Sequence, residues 1–114
     1  MKRLDIITRH ENLVEVNKLL HKHMVGGMSF SDIKGRGRSR PERVSVGRGA
    51  KHYFPEFTYS MKIEVVVPDG LAKVIIDDLL KVLGSGTFGI GKIFVYDVTE
   101  AYDLETKGEG ESAL

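Results

Sequence analysis

The chain has no cysteine and no tryptophan, and only three prolines among its 114 residues. Without thiols there are no disulfides and no cysteine chemistry, and nothing points to an oxidising compartment. No stretch approaches the roughly eighteen apolar residues a membrane helix needs. The opening Met1-Lys2-Arg3-Leu4-Asp5 puts charges where a signal peptide would carry its apolar run. A cytoplasmic protein, neither exported nor membrane-spanning, is therefore expected. The length suits one domain with a single core, small enough that oligomerisation would help it.

Net charge is also nearly absent, at +1, but its distribution is uneven. Between Lys34 and His52 stand Lys34, Arg36, Arg38, Arg40, Arg43, Arg48 and Lys51 against the single acid Glu42. The rest of the chain keeps ten basic and fifteen acidic residues, so a basic segment sits on an acidic body. Tyr53, Phe54 and Phe57 beside it would be stacking candidates for nucleic acid. The body is not basic, however, and no nucleic-acid partner is expected.

Thirteen glycines are present, and three of them crowd Gly86-Thr87-Phe88-Gly89-Ile90-Gly91-Lys92. Glycines let backbone N–H groups approach an anion without a β-carbon in the way, and a lysine behind them adds a compact positive charge. The spacing is not that of a phosphate loop capping a helix, because Lys92 to Val98 alternates like a strand. An anion cradle entering a sheet is one reading of the segment, and a plain turn is the other.

Periodicity organises the remainder. Leu4 and Ile6 alternate with charged neighbours over Lys2 to Thr8, and Leu13, Val16, Leu19, Leu20 and Met24 recur at helical spacing over Glu11 to His23. Gly26-Gly27 should stop that helix, and Met28 to Ile33 alternates again. The pattern then repeats. Tyr59 to Val67 reads as a strand, Pro68-Asp69-Gly70 as a turn, Leu71 to Leu83 as a helix carrying Val74, Ile75, Leu79, Leu80 and Leu83, and Lys92 to Val98 as the last strand. Two βαβ units in tandem predict an α+β, ferredoxin-like double βαβ fold, with four strands in one sheet and both helices on one face. The other face, carrying Ile63, Val65 and Val67 or their alternates Val66 and Ile93, would then need cover, so self-association is expected. Residues 36–57 form a connection too long to be a mere linker, and its glycines and prolines argue for an extended, mobile projection.

The chain resembles the PII signal-transduction family over nearly its whole length. The resemblance rests on Met1-Lys2-Arg3-Leu4-Asp5-Ile6-Ile7, on Gly27-Met28-Ser29-Phe30-Ser31-Asp32-Ile33-Lys34-Gly35-Arg36-Gly37-Arg38, and on Arg48-Gly49-Ala50. It continues through Met61 to Asp69, the Gly86 to Phe94 loop and the Gly-Glu-rich tail ending Ser112-Ala113-Leu114. It implies a single domain over 1–114 that assembles as a homotrimer, with ATP or ADP, or AMP, in clefts between neighbours; it leaves magnesium open. Residues 36–57 would be the family's T-loop, 84–92 the phosphate-binding loop and 101–114 a C-terminal tail. By match to the family's motif, Gly35, Gly37 and Arg38 form the T-loop base, Ile7 and Val66 line the adenine, and Ser29 stands where a threonine is usual. Glu64 matches an acidic position in the cleft, and Gly86, Thr87, Gly89, Gly91 and Lys92 the phosphate loop. The T-loop, with Arg40, Arg43, Arg48, Lys51 and Tyr53, would engage an ammonium transporter or a metabolic enzyme, Arg48 being the candidate channel plug.

The departures from the family pattern are specific. Ile90 replaces an aspartate in the glycine loop, and Asp103 and Glu105 stand where two arginines reach the phosphates, with Lys107 as an insertion that partly compensates on another alignment. A close pair of unit charges at about 4 Å is worth about 4 kcal/mol at an effective dielectric near 20, so weaker ATP binding than is usual is expected. Ser39 and Ser60 replace the glutamine and lysine that hold magnesium and 2-oxoglutarate. Serine has neither the charge nor the reach, so 2-oxoglutarate sensing should be weak or absent. The T-loop is about two residues longer than usual by the same comparison, which puts the tyrosine uridylylated in some members at His52 or Tyr53.

No catalytic constellation is present, and His10, His21, His23 and His52 have no metal spacing. An enzyme hydrolysing nucleotide would lack an evident general base. Two binding functions remain: a nucleotide-sensing regulator of nitrogen metabolism, and a diverged PII-like sensor of AMP, a cyclic nucleotide or a bicarbonate-linked ligand in carbon metabolism.

Overall fold

The computed structural model describes residues 1–37, 44–46, 51–53, 56–84 and 91–114. Strand β1 (Lys2–Thr8) leads through one 3-10 turn (His10–Asn12) into helix α1 (Leu13–Lys22) and strand β2 (Ser29–Gly35). Two three-residue strands, β3 (Val44–Val46) and β4 (Lys51–Tyr53), follow, then β5 (Thr58–Val67), α2 (Asp69–Leu83) and β6 (Lys92–Asp97). The four long strands make one sheet in the order β2-β5-β1-β6, every neighbour antiparallel. This is the expected ferredoxin-like α+β arrangement.

The register settles which alternate set faces the helices. Ile6 lies opposite both Ile63 and Ile93, and Leu4 opposite Val65 and Val95. Leu4, Ile6, Met61, Ile63, Val65 and Val67 form the buried core with Val16, Leu19 and Leu20 of α1 and Ala72, Ile75 and Leu79 of α2; Ile93 packs against it. Ile63, Val65, Val67 and Ile93 therefore belong to the helix side, and of the candidates for the open face only Val66 lies there. That face is mixed rather than greasy, with Arg3, Asp5, Lys62, Glu64, Phe94 and Tyr96 in neighbouring rows.

Within this face Asp5 is 3% exposed. Arg3 Nη2 donates to one of its oxygens at 3.1 Å while Nε lies 3.0 Å from the other. The same guanidinium stacks 4.3 Å from the centre of the Tyr96 ring, and Lys62 reaches Glu64 at 3.0 Å and Asp5 at 3.8 Å. A carboxylate so deeply covered is tolerable only because two cations meet it.

Three local expectations fail, each for a physical reason. Helix α2 begins at Asp69 with Pro68 as N-cap, so Asp69-Gly70 is its first turn, not a loop. Proline needs no N–H donor there, and Asp69 meets the positive end of the helix dipole. Val74 and Leu80, counted in the helical apolar spacing, are exposed, while Ala72 and the partly buried Ile76 and Leu71 share the inner face. Met24, counted in the spacing of α1, is 91% exposed. Helix α1 stops before Gly26-Gly27, because Met24 itself takes the left-handed conformation at φ 59°. Its N–H bonds His21 O at 3.0 Å and that of Val25 bonds Leu20 O at 3.0 Å, the two bonds of a Schellman stop.

A left-handed residue with a β-carbon is strained by about 1–2 kcal/mol. Met24→Gly should raise stability by about 0.5–1 kcal/mol once the extra freedom of glycine in the unfolded chain is subtracted. A urea titration against Met24→Ala, which keeps the β-carbon and should leave the midpoint unchanged, checks it; a lower midpoint for the glycine variant would sink the idea.

The helices are tied by charge at one point. His23 Nε2 donates to Asp78 at 2.7 Å, and Lys22 Nζ lies 3.4 Å from the same oxygen. The His23 hydrogen bond, then the Lys22 charge, hold the Asp78 carboxyl below its ordinary pKa. A depressed carboxylate stabilises the fold above its unfolded pKa, about 3.9, and loses that contribution as pH falls through the folded value. Asp78→Asn should therefore be less stable than the parent at pH 6 and converge with it in strong acid, as thermal unfolding at a series of pH values would show.

Candidate functional site

The matched residues gather in two separate places on the protomer. Register sets Ser29 opposite Glu64 and Val66 opposite Arg3. All four line a cleft of about 470 Å³ whose other walls are the turn after α1, with Met24 and Met28, the junction of β5 and α2, with Leu71, and the tail residues Glu111, Ala113 and Leu114. Glu64 is half-exposed and accepts from Lys62 at 3.0 Å. The cleft thus joins apolar walls to two carboxylates and one guanidinium.

Ile7, Gly91 and Lys92 meet elsewhere, around a mainly apolar cavity of about 310 Å³ that also touches Ile76, Leu79 and Leu83 of α2. Gly91 has φ 156°, and a β-carbon built there would sit 2.1 Å from Ile7 O. Only glycine lets the chain run this close to β1. Lys92 follows at the start of β6, exposed and opposite Ile7. Gly35 ends β2, paired with Thr58, and Gly37 follows it. Along β2, Ser29 and Gly35 are separated by about 20 Å at the rise of a strand. On one protomer Ser29, Glu64 and Val66 line one space and Ile7, Gly91 and Lys92 another.

Arg38, Arg40, Arg43 and Arg48, with Ser39, and Gly86, Thr87 and Gly89, with Ile90, lie outside the described residues. Lys51 and Tyr53 lie in β4, opposite Val46 and Val44, so a short antiparallel pair stands inside the long connection. Ser60 sits in β5 opposite Ile33. Among the described residues no group of three histidines or acids could hold a metal ion. His10 and His23 each face an aspartate, at 2.5 Å from Asp32 and 2.7 Å from Asp78.

The tail carries Asp103 and Glu105. Asp103 Oδ1 accepts from the backbone N–H of Glu105 at 2.8 Å and of Thr106 at 3.0 Å. Its own backbone closes the loop, with Lys107 N bonding Asp103 O at 2.9 Å and Asp103 N bonding Gly108 O at 2.9 Å. The Thr106 and Glu105 donors hold its carboxyl below the ordinary range. Lys107 takes the left-handed position of this turn at φ 61°. The Asp103 carboxylate is turned onto its own loop, while Glu105 projects into solvent.

A family model described as Nitrogen regulatory protein P-II matches residues 1–108. The chain belongs to the PII family. Its relatives include Nitrogen regulatory protein P-II 1 of Escherichia coli, 33% identical over 114 residues and covering 100% of both chains. Nitrogen regulatory protein P-II of Haemophilus influenzae is likewise 33% identical over 114 residues. The structure of B. subtilis GlnK superposes with a TM-score of 0.77 at 30% identity, covering 99% of this chain and 97% of that one. PII proteins are regulatory signalling proteins, not enzymes.

Sequence comparison alone missed several cleft residues. Arg3, Met28 and Leu114 were part of the family motifs without an assigned role, and Met24 and Leu71 carried no signal beyond apolarity. What unites them is register and the Schellman stop, neither of which a linear pattern displays.

Proposed function

We propose that this PII protein is a trimeric, cytoplasmic regulator that binds an adenine nucleotide between protomers and acts on a transporter or enzyme of nitrogen metabolism through residues 36–57. The observation that carries it is the division of the matched residues. Ser29, Glu64 and Val66 line one cleft, whereas Ile7, Gly91 and Lys92 line another and Gly35 and Gly37 neither, a division that two abutting protomers would reunite around one ligand. The chemistry of each half fits its share of the ligand. The cleft offers apolar walls and carboxylates to a base and ribose, and the Gly91-Lys92 end offers a close-approach backbone and an exposed cation to phosphates. Arg38 and the glycines 86 and 89 would complete the phosphate end, with Arg40, Arg43, Arg48, Lys51 and Tyr53 presented to the target; membrane contact arises only through a transporter.

The acidic tail favours a second reading, in which the same cleft serves a ligand of fewer phosphates, AMP or a cyclic nucleotide, in a pathway of carbon metabolism. Asp103 and Glu105 stand where the family has cations, and Ser39 and Ser60 leave 2-oxoglutarate without a counter-charge.

Calorimetric titration with ATP, ADP, AMP and cyclic nucleotides, with and without magnesium and 2-oxoglutarate, separates the two. Micromolar ATP or ADP binding supports the first reading and a preference for AMP or a cyclic nucleotide the second. Light scattering should give three times the 12.7 kDa chain mass. A monomer that binds no nucleotide would overturn both.

A further inference from the structure

The cleft has a sulfur atom open to solvent at its rim. With no cysteine in the chain, an oxidant that attacks sulfur meets only Met1, Met24, Met28 and Met61. Three of these are covered: Met61 is 4% exposed in the core, Met28 packs against that core, and Met1 is partly buried. Met24 is 91% exposed. It also lines the cleft of about 470 Å³, in an unbroken run with Val25, Gly26, Gly27 and Met28. The turn that carries it is closed by backbone, with Met24 N on His21 O and Val25 N on Leu20 O, both at 3.0 Å. Those bonds do not use the Met24 side chain, so a change at its sulfur reaches the cleft and leaves the fold standing.

We infer that Met24 is a reversible oxidation site, where conversion of the thioether to its sulfoxide by a peroxide weakens ligand binding in the cleft. The O–O bond of the peroxide breaks as an S–O bond forms at Met24 Sδ. The thioether loses two electrons, the peroxide gains them, and hydrogen peroxide departs as water. The flexible apolar side chain becomes a polar one, in a rim whose apolar part is Val25, Met28 and Leu71. A hydrated sulfoxide resists the loss of water that contact with a ligand demands. The effect on affinity rests on the proposed nucleotide site, whereas the choice of Met24 among the four methionines rests on exposure alone.

The test treats the purified full chain with dilute hydrogen peroxide and follows each methionine by peptide mass spectrometry. Met24 should gain one oxygen ahead of Met28 and Met61, with no change in the urea midpoint. Titration with ADP should then give binding about 3- to 10-fold weaker than for the reduced protein, an effect sized by partial loss of one apolar side chain's contact. Unoxidised Met24→Gln, which carries a polar group of similar length, should show the same loss. Met24→Leu should bind as the reduced parent does and ignore peroxide, and methionine sulfoxide reductase should restore the oxidised parent. Oxygen appearing first at Met28 or Met61, or a lowered midpoint on oxidation of Met24, would overturn the inference. So would an ADP affinity unmoved by complete oxidation of Met24, with the nucleotide site left standing. No ADP binding by the reduced parent would overturn the site, and the effect on affinity with it.

Discussion

Gly91→Ala should be strongly destabilising. The β-carbon would lie 2.1 Å from Ile7 O and 3.2 Å from Ile7 C, both backbone atoms that cannot swing aside as a side-chain tip would. To relieve the contact β6 must move away from β1, and the φ of 156° must be abandoned as well. A loss of about 2–4 kcal/mol follows from strain of this kind. Gly70→Ala is the internal control, since nothing lies within 4 Å of its β-carbon and it sits in the first turn of α2. Alanine there should be neutral or stabilising by about 0.5–1 kcal/mol. Chemical denaturation of both variants decides the matter, and equal midpoints would refute the close-approach account. Because Lys92 begins β6, the Gly91 variant should also lose affinity for phosphate-bearing ligands under conditions where it stays folded.

Glu105→Arg should strengthen ATP binding about tenfold while leaving adenosine unchanged, if the tail hairpin stands near the phosphates as the family's motif places it. Glu105 is exposed, and its backbone N–H, not its carboxylate, is what the Asp103 turn uses. The side chain can be exchanged without disturbing the loop. Asp103→Arg makes the same change of charge and should fail to give the same gain. It removes the acceptor for the Glu105 and Thr106 amides, and the turn closed by Lys107 at φ 61° loosens. Faster hydrogen exchange at the Thr106 amide would report that loss. The depressed Asp103 carboxyl adds a pH signature: its contribution to the turn is whole above about pH 4 and is lost as pH falls through the folded value. The ATP gain of Glu105→Arg should shrink as ionic strength rises past about 0.15 M, because the group is in water. An ATP affinity that ignores Glu105→Arg at low salt would place the hairpin away from the phosphates.

How much could be read beforehand depended on the distance over which each feature is encoded. Strands β1 and β5 were legible because apolar and polar residues alternate over several positions, and the two helices because their apolar residues recur at a helical period. Helix α2 was truncated by two residues on paper since Pro68-Asp69-Gly70 has turn composition; only the geometry shows proline serving as the N-cap. The pair β3–β4 was not foreseen, because Val44-Ser45-Val46 and Lys51-His52-Tyr53 are too short for a period to emerge. Asn12 and Thr8, both buried and bonded at 2.8 Å where β1 turns into α1, gave no signal either. At the site, the glycine-lysine character of residues 91–92 was legible. That Asp103 spends its carboxylate on its own loop was not, since it depends on three-dimensional closure over residues 103–108.

The Arg3–Asp5 fork carries a constraint on how this sequence can drift. Each partner makes the other tolerable: without Arg3 the covered Asp5 loses its two-pronged partner and is left with the more distant Lys62, and without Asp5 the guanidinium is left with Tyr96 and the charge of Glu64. Either single replacement should thus be harsher than the pair of replacements made together. Divergent copies of this protein should therefore retain both residues or exchange both, so that two positions two apart in the chain behave, on an evolutionary timescale, as a single inherited character.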